Sequence, residues 1–162
     1  MTQPKNETNQ ETSMKRGTGF TLIEVLIVLA IVMVLVAFAY PSYAGYIKKT
    51  RRIEGQIALI ETVQQQERYY TRNNTYVAFS SASTDPQERR FKWWSGGTAA
   101  QSAYELSARA CPGRDLQQCV EVQATPGTVN VDAKFRDADC QTLTLNSAGE
   151  RSSSGSQERC WP

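Results

Sequence analysis

Residues 14–40 read MKRGTGFTLIEVLIVLAIVMVLVAFAY. From Phe20 to Tyr40 only Thr21 and Glu24 interrupt an otherwise apolar run. As a helix rising ~1.5 Å per residue, this run covers about 30 Å, the thickness of a bilayer's hydrocarbon core. Lys15 and Arg16 stand just before it, which predicts an N-terminus on the cytoplasmic side. A cleaved secretory signal would end in small residues, and Tyr40-Pro41-Ser42-Tyr43 makes a poor junction of that kind. Glu24 is the anomaly. A carboxylate in a spanning helix costs about 2.5–3.5 kcal/mol if it sits deep. Either it snorkels to the headgroups or it meets a specific cationic partner.

The remaining sequence is polar, and much is excluded by composition. The chain has 162 residues, a net charge of +2 and no histidine. Near-neutrality gives no gross case for a nucleic-acid protein. The missing histidine removes the commonest general base, the Ser–His and Cys–His nucleophile pairs and every histidine metal site. No Walker loop, GxGxxG or nucleophile elbow is present. A non-enzymatic protein without metal or cofactor is expected. Asp137 and Asp139 are expected to be solvated turn residues.

Four cysteines, Cys111, Cys119, Cys140 and Cys160, all follow the apolar run, and none forms a CxxC pair. An even count beyond a membrane segment predicts disulfides in an oxidising space. Three connectivities are open. The sequential one, Cys111–Cys119 with Cys140–Cys160, closes two short loops, each contributing roughly 2.5–3.5 kcal/mol in the chain-entropy model.

Beyond Pro41 the pattern is amphipathic. Ile53, Ile57, Ile60 and Val63 recur at helical spacing with Tyr46 and Leu59, while Lys48, Arg51, Glu54, Glu61 and Gln65 lie off that face. One helix from Phe20 to about Tyr70 is predicted, bent or loosened at Pro41 by the lost backbone donor. Thr71 to Gln101 reads as an irregular connection. Four alternating runs follow: Tyr104/Leu106/Ala108, Val120/Val122/Ala124, Val129/Val131/Ala133/Phe135 and Leu143/Leu145. Pro126-Gly127 reads as the turn between the second and third runs. The expected fold is α+β: a long N-terminal α-helix, half transmembrane and half amphipathic, packed on a four-stranded antiparallel sheet. The tail from Asn146 to Pro162 reads as a Ser/Gly-rich segment held by the last cysteine pair.

The segment Gly19-Phe20-Thr21-Leu22-Ile23-Glu24-Val25 behind a basic leader resembles the type IV prepilin signature. Arg52-Ile53-Glu54-Gly55-Gln56, Gln66-Glu67-Arg68-Tyr69-Tyr70, Leu143-Thr144-Leu145-Asn146 and Cys160-Trp161 resemble the PilE-type minor pilins, with ComP-like DNA-uptake pilins related. The resemblance implies cleavage by prepilin peptidase between Gly19 and Phe20 and N-methylation of Phe20. It gives Glu24 a role in assembly, where it meets the terminal amine of a neighbouring subunit. It implies a leader over 1–19 (or from Met14, a six-residue leader), a transmembrane and fibre-core helix over 20–40 with a kink at Pro41, and a periplasmic or extracellular globular domain over 41–162. The loop closed by Cys140 and Cys160 is that family's D-region; Cys111 and Cys119 are a second pair beyond the simplest pilins. The precursor is expected in the inner membrane and the mature chain in the pilus fibre, with other pilin subunits as partners.

Arg89-Arg90-Phe91-Lys92-Trp93-Trp94 interleaves three cations with three aromatics. Such a segment suits DNA or another surface ligand, cations on phosphates and rings on bases. The favoured reading is that its aromatics anchor a long loop while the cations stay solvated. Two function classes therefore stand: a minor pilin supporting pilus assembly, adhesion or twitching motility, and a ComP-like DNA receptor in natural transformation. A pseudopilin of type II secretion fits less well, given the disulfides and the missing acidic calcium cluster. The first two part on whether Arg89, Arg90, Lys92, Arg109, Arg114, Lys134 and Arg136 form one basic stripe.

Overall fold

In the computed structural model, residues 19–156 and 159–161 are described. The chain divides into two compact units, Met1–Pro41 and Ser42–Pro162, and one helix, α1 (Leu22–Asn73), runs through both. Residues 1–18 of the leader and the side chains of Tyr40, Pro41 and Ser42 lie outside the described residues, and with them the bend expected at Pro41. In the first unit every described side chain of the apolar run is exposed. Its mean hydropathy reaches 3.1, and the helix is long and apolar enough to cross a membrane.

The second unit packs the rest of α1 on a meander of β1 (Tyr104–Ala110), β2 (Val120–Pro126), β3 (Leu143–Asn146) and β4 (Arg151–Ser153). All three pairings are antiparallel. Alternation puts Tyr104, Leu106 and Ala108 of β1, Val120, Val122 and Ala124 of β2, and Leu143 and Leu145 of β3 on one buried face. Ala58 and Leu59 of α1 join them, with Phe79, Phe91, Cys140 and Cys160. The cysteines pair as Cys111–Cys119 and Cys140–Cys160. Between α1 and β1 the chain is irregular apart from two short 3-10 turns and two isolated bridges. The helix runs three residues past Tyr70 and stops where Asn74 takes a left-handed φ of 54° and donates its N–H to the Tyr70 carbonyl at 2.8 Å.

Two expectations are corrected. The helix does not face the sheet with its isoleucines: Ile53, Ile57 and Ile60 are exposed. The buried positions are Gly55, Gln56, Ala58, Leu59, Thr62 and Gln66. Tyr104 lies so close to the helix that a Cβ on Gly55 would stand 2.8 Å from its ring. The glutamines are buried because they serve loop backbone: Gln56 donates to the Cys160 carbonyl (2.6 Å), and Gln66 donates to the Val77 carbonyl (2.7 Å) and accepts the Val77 N–H (2.9 Å). Buried amides of this kind are satisfied, so hydropathy misjudges the face.

The run Val129/Val131/Ala133/Phe135 is not a strand. Gly127, at φ 61°, turns the chain so tightly that a Cβ there would fall 2.1 Å from the Phe135 carbonyl oxygen. Successive turns follow, with Arg136 donating to the carbonyls of Ala133 (2.6 Å) and Phe135 (2.8 Å). The fourth strand comes instead from the tail. Asn146 Oδ1 accepts the N–H groups of Ala148 (3.0 Å) and Glu150 (2.9 Å), and Gly149 at φ 84° reverses the chain so that β4 pairs with β3.

Candidate functional site

At the mouth of α1, Gly19, Phe20 and Thr21 are not helical and Gly19 and Phe20 are exposed. Thr21 is the N-cap: its carbonyl accepts the first helical bond from Val25 at 3.2 Å. Its hydroxyl accepts the Glu24 N–H (3.3 Å), and the Glu24 carboxylate accepts both the Thr21 N–H (3.3 Å) and the Thr21 hydroxyl (3.2 Å). This reciprocal pairing is a capping box. Glu24 therefore has a partner within its own chain, and the carboxylate also sits at the helix end that favours negative charge. The bond Gly19–Phe20 lies just outside the helix.

The aromatic–basic segment is fixed along the edge of β1. Leu106 N–H donates to the Trp93 carbonyl (2.7 Å), Ser95 N–H to the Tyr104 carbonyl (3.1 Å), and Trp94 bridges to Glu105. Phe91 is the anchor. It is buried, stacked on Phe79 with centroids 5.2 Å apart and met edge-on by Tyr69 at 6.1 Å. Trp93 and Trp94 are half-buried and meet edge to face at 5.0 Å. Lys92 lies over the Trp94 ring, its Nζ 5.6 Å from the centroid, and donates to the Gly96 carbonyl. The Trp94 indole N–H is buried without a partner among the described residues.

Arg89, Arg90 and Lys92 are exposed, and among the described residues none has an ion pair. They line a groove of about 730 Å³ whose other wall is Ser80, Ser81, Ser83 and Thr84. None of the other four cations, Arg109, Arg114, Lys134 and Arg136, lines this groove. Arg109 is held by Glu121 at 2.9 and 3.1 Å, and Arg114 shares a cleft with Glu121 and Glu150. Arg136 is spent on backbone carbonyls, and Lys134 is exposed.

A buried ionic cluster supports the disulfide-closed loop. Arg52 grips Asp137 through two bonds, Nε to Oδ2 at 2.8 Å and Nη2 to Oδ1 at 2.6 Å. The Tyr104 hydroxyl donates to Asp137 at 2.6 Å, and the Cys140 N–H at 3.3 Å. Asp137 is thus not a solvated turn residue, while Asp139 is exposed and pairs with Lys48 at 3.6 Å. Burial alone raises the Asp137 carboxyl, but the bonds from Arg52 and Tyr104 outweigh it and hold the group below the usual carboxylate range. Burial, then the bond to Asp137, pushes the Tyr104 phenol well above its ordinary value. Sequence reading missed Thr21, Arg52 and Tyr104. Only the Thr-x-x-Glu spacing of the first carried a local signal; Arg52 and Asp137 are 85 residues apart.

Residues 41–144 match the family described as "Type IV minor pilin ComP, DNA uptake sequence receptor", and residues 14–40 match the prokaryotic N-terminal methylation motif. A type IV major alpha-pilin of Moraxella bovis is 35% identical over 88 residues, 46% of this chain and 55% of that protein. The chain thus matches about half the length of that relative. A type IV pilin from Shewanella oneidensis is 26% identical over 71% of this chain and 98% of that one, with a TM-score of 0.44. The non-core minor pilin PilV of Neisseria meningitidis is 19% identical over 71% of this chain and 94% of that one, with a TM-score of 0.47. With a methylation motif at the helix mouth and the ComP pattern across most of the globular unit, the chain belongs to the type IV pilins, in the family of the minor pilin ComP.

Proposed function

We propose that the chain is a minor pilin of the type IV pilus that acts as a DNA receptor in natural transformation. The precursor sits in the inner membrane with its N-terminus in the cytoplasm. Prepilin peptidase cuts between Gly19 and Phe20 and methylates Phe20, and the mature subunit joins other pilins through its apolar helix. The observation that carries the receptor reading is the groove beside the fixed loop: three exposed cations without acidic partners among the described residues, faced by hydroxyl side chains. Cations release counterions on meeting phosphates, and serine and threonine hydroxyls donate to phosphate oxygens. The family's description supports the same reading.

A second reading keeps the chain as a minor pilin for assembly, adhesion or twitching motility without DNA. It is favoured by the groove holding only Arg89, Arg90 and Lys92 of the seven cations whose single stripe would mark a receptor, and by the buried Phe91 and half-buried tryptophans, which anchor the loop whatever the cations do. DNA affinity and thermal unfolding of the full chain in non-ionic detergent separate the two. The receptor reading expects Arg89→Gln with Arg90→Gln to weaken DNA binding at an unchanged melting temperature. No binding by the wild type at low salt retires it in favour of the second. Processing is tested by mass spectrometry of Gly19→Arg protein, where an unchanged mature N-terminus would sink the assigned cut.

A further inference from the structure

Arg90 belongs to two clefts. Besides the groove above, it lines a second concavity of about 360 Å³, together with Arg68 and Arg72 from the end of α1. The other walls are Gln65, Tyr69, Asn73, Gln87 and Phe91, so no carboxylate lines it. Among the described residues none of the three arginines has an ion pair, and all three are exposed. Hydrogen bonds brace the cleft. Gln65 donates to the Arg90 carbonyl at 3.0 Å, and Asn73 Nδ2 donates to the Tyr69 carbonyl at 2.9 Å, tying loop to helix and closing the helix end.

We infer that this second cleft extends the DNA site onto the helix, with Arg68 and Arg72 binding the phosphate backbone of double-stranded DNA in line with Arg90. The inference rests on the receptor reading above and adds to it a surface and a mode of binding. Arg68 and Arg72 are one turn apart, about 6 Å along the axis. Each strand of B-DNA presents a phosphate about every 3.4 Å along its own axis, so the two guanidinium groups can meet separate phosphates of one backbone. Like charges at i and i+4 oppose each other in the free helix. The helix dipole accounts for a cation in the last turn, which Arg72 occupies, but its effect fades before Arg68. An anionic partner relieves both.

The aromatics argue for duplex over single strand. Proteins that take single strands stack bases on free rings. Here Phe91 is buried against Phe79, and Lys92 lies over the face of Trp94. Arg68, Arg72, Arg89 and Arg90 are exposed while the Phe91 and Trp94 rings are occupied, which suits a backbone more than bases.

The test measures binding of the full chain in non-ionic detergent to a duplex and to its single strand, across a salt series. Arg68→Gln with Arg72→Gln should lower the slope of log affinity against log salt by about 2, from roughly 0.9 per phosphate contact. Arg68→Lys with Arg72→Lys should restore it, and melting temperatures should stay level across the set. An unchanged slope in the Gln pair, while Arg89→Gln with Arg90→Gln loses slope, overturns the inference and leaves the receptor reading standing. Absence of DNA binding by the wild type overturns both. Single strand bound as tightly as duplex overturns the assigned mode. Loss of affinity for a sulfated glycan with duplex binding intact overturns the ligand.

Discussion

The two faces of α1 between residues 52 and 66 carry inverted chemistry. The face that packs on the sheet is made of Arg52, Gly55, Gln56, Ala58, Leu59, Thr62 and Gln66, small or hydrogen-bonding with one leucine. The face turned away carries Ile53 at 44%, Ile57 at 51% and Ile60 at 37% exposure, and Tyr43, Tyr46 and Ile47 are exposed earlier along the same helix. A helix with partners only inside its own chain shows the opposite arrangement. Isolated exposed apolar side chains need no explanation, but a row at helical spacing marks a contact surface. The lesson is that this helix serves two sets of partners. Its inner face is specified by close approach and hydrogen bonds, its outer face by apolar area kept for neighbouring subunits in the proposed fibre.

Arg52→Met attacks the inner face hardest. It leaves Asp137 buried without its counter-charge, and removing one partner of such a pair costs about 3–5 kcal/mol. Its pH dependence has a definite sign. Asp137 is held below its ordinary pKa, so its contribution is present above the unfolded carboxylate value near 3.8 and is lost as pH falls through the lower folded value. Thermal unfolding at neutral pH should show the full loss, and the gap to wild type should narrow in acid. A gap that stays constant to low pH would mean the guanidinium contributes packing alone.

Gly55→Val comes next. The added carbons run into the Tyr104 ring, and overpacking of this kind costs about 1–3 kcal/mol. Denaturant unfolding should show a lower midpoint at unchanged slope. Wild-type stability in this variant would show that helix and sheet have room to part.

Ile57→Gln should be the mildest in the subunit, within about 0.5 kcal/mol of wild type, because the side chain is half in water already. Its effect is expected elsewhere, as reduced incorporation into fibres scored by immunoblot of sheared pili. Normal incorporation would break the division of labour between the faces.

How much of this was legible follows the same division. Strands β1, β2 and β3 could be read because their apolar residues alternate against one core. The strand β4, Arg151-Ser152-Ser153, has no apolar residue to announce it; backbone pairing with β3 and the turn at Asn146 and Gly149 create it. Conversely Val129 to Phe135 alternates without being a strand, because Gly127 turns the chain too sharply. The loop cations could be listed from sequence, but their separation could not: Glu121 neutralises Arg109, and Arg68 and Arg72 join Arg90 only after folding.

The inner face of α1 also bears on how the chain acquires its covalent cross-link. Arg52 holds Asp137, three residues before Cys140, and Gln56, one turn further along, holds the carbonyl of Cys160 itself. Both ends of the 20-residue loop are thus pinned to adjacent turns of one helix. Tethering of this kind raises the effective concentration of one group near another. Thiol–disulfide exchange depends on access as well as on thiolate chemistry, and the helix holds these two partners within reach, with the Cα atoms of Cys140 and Cys160 5.5 Å apart.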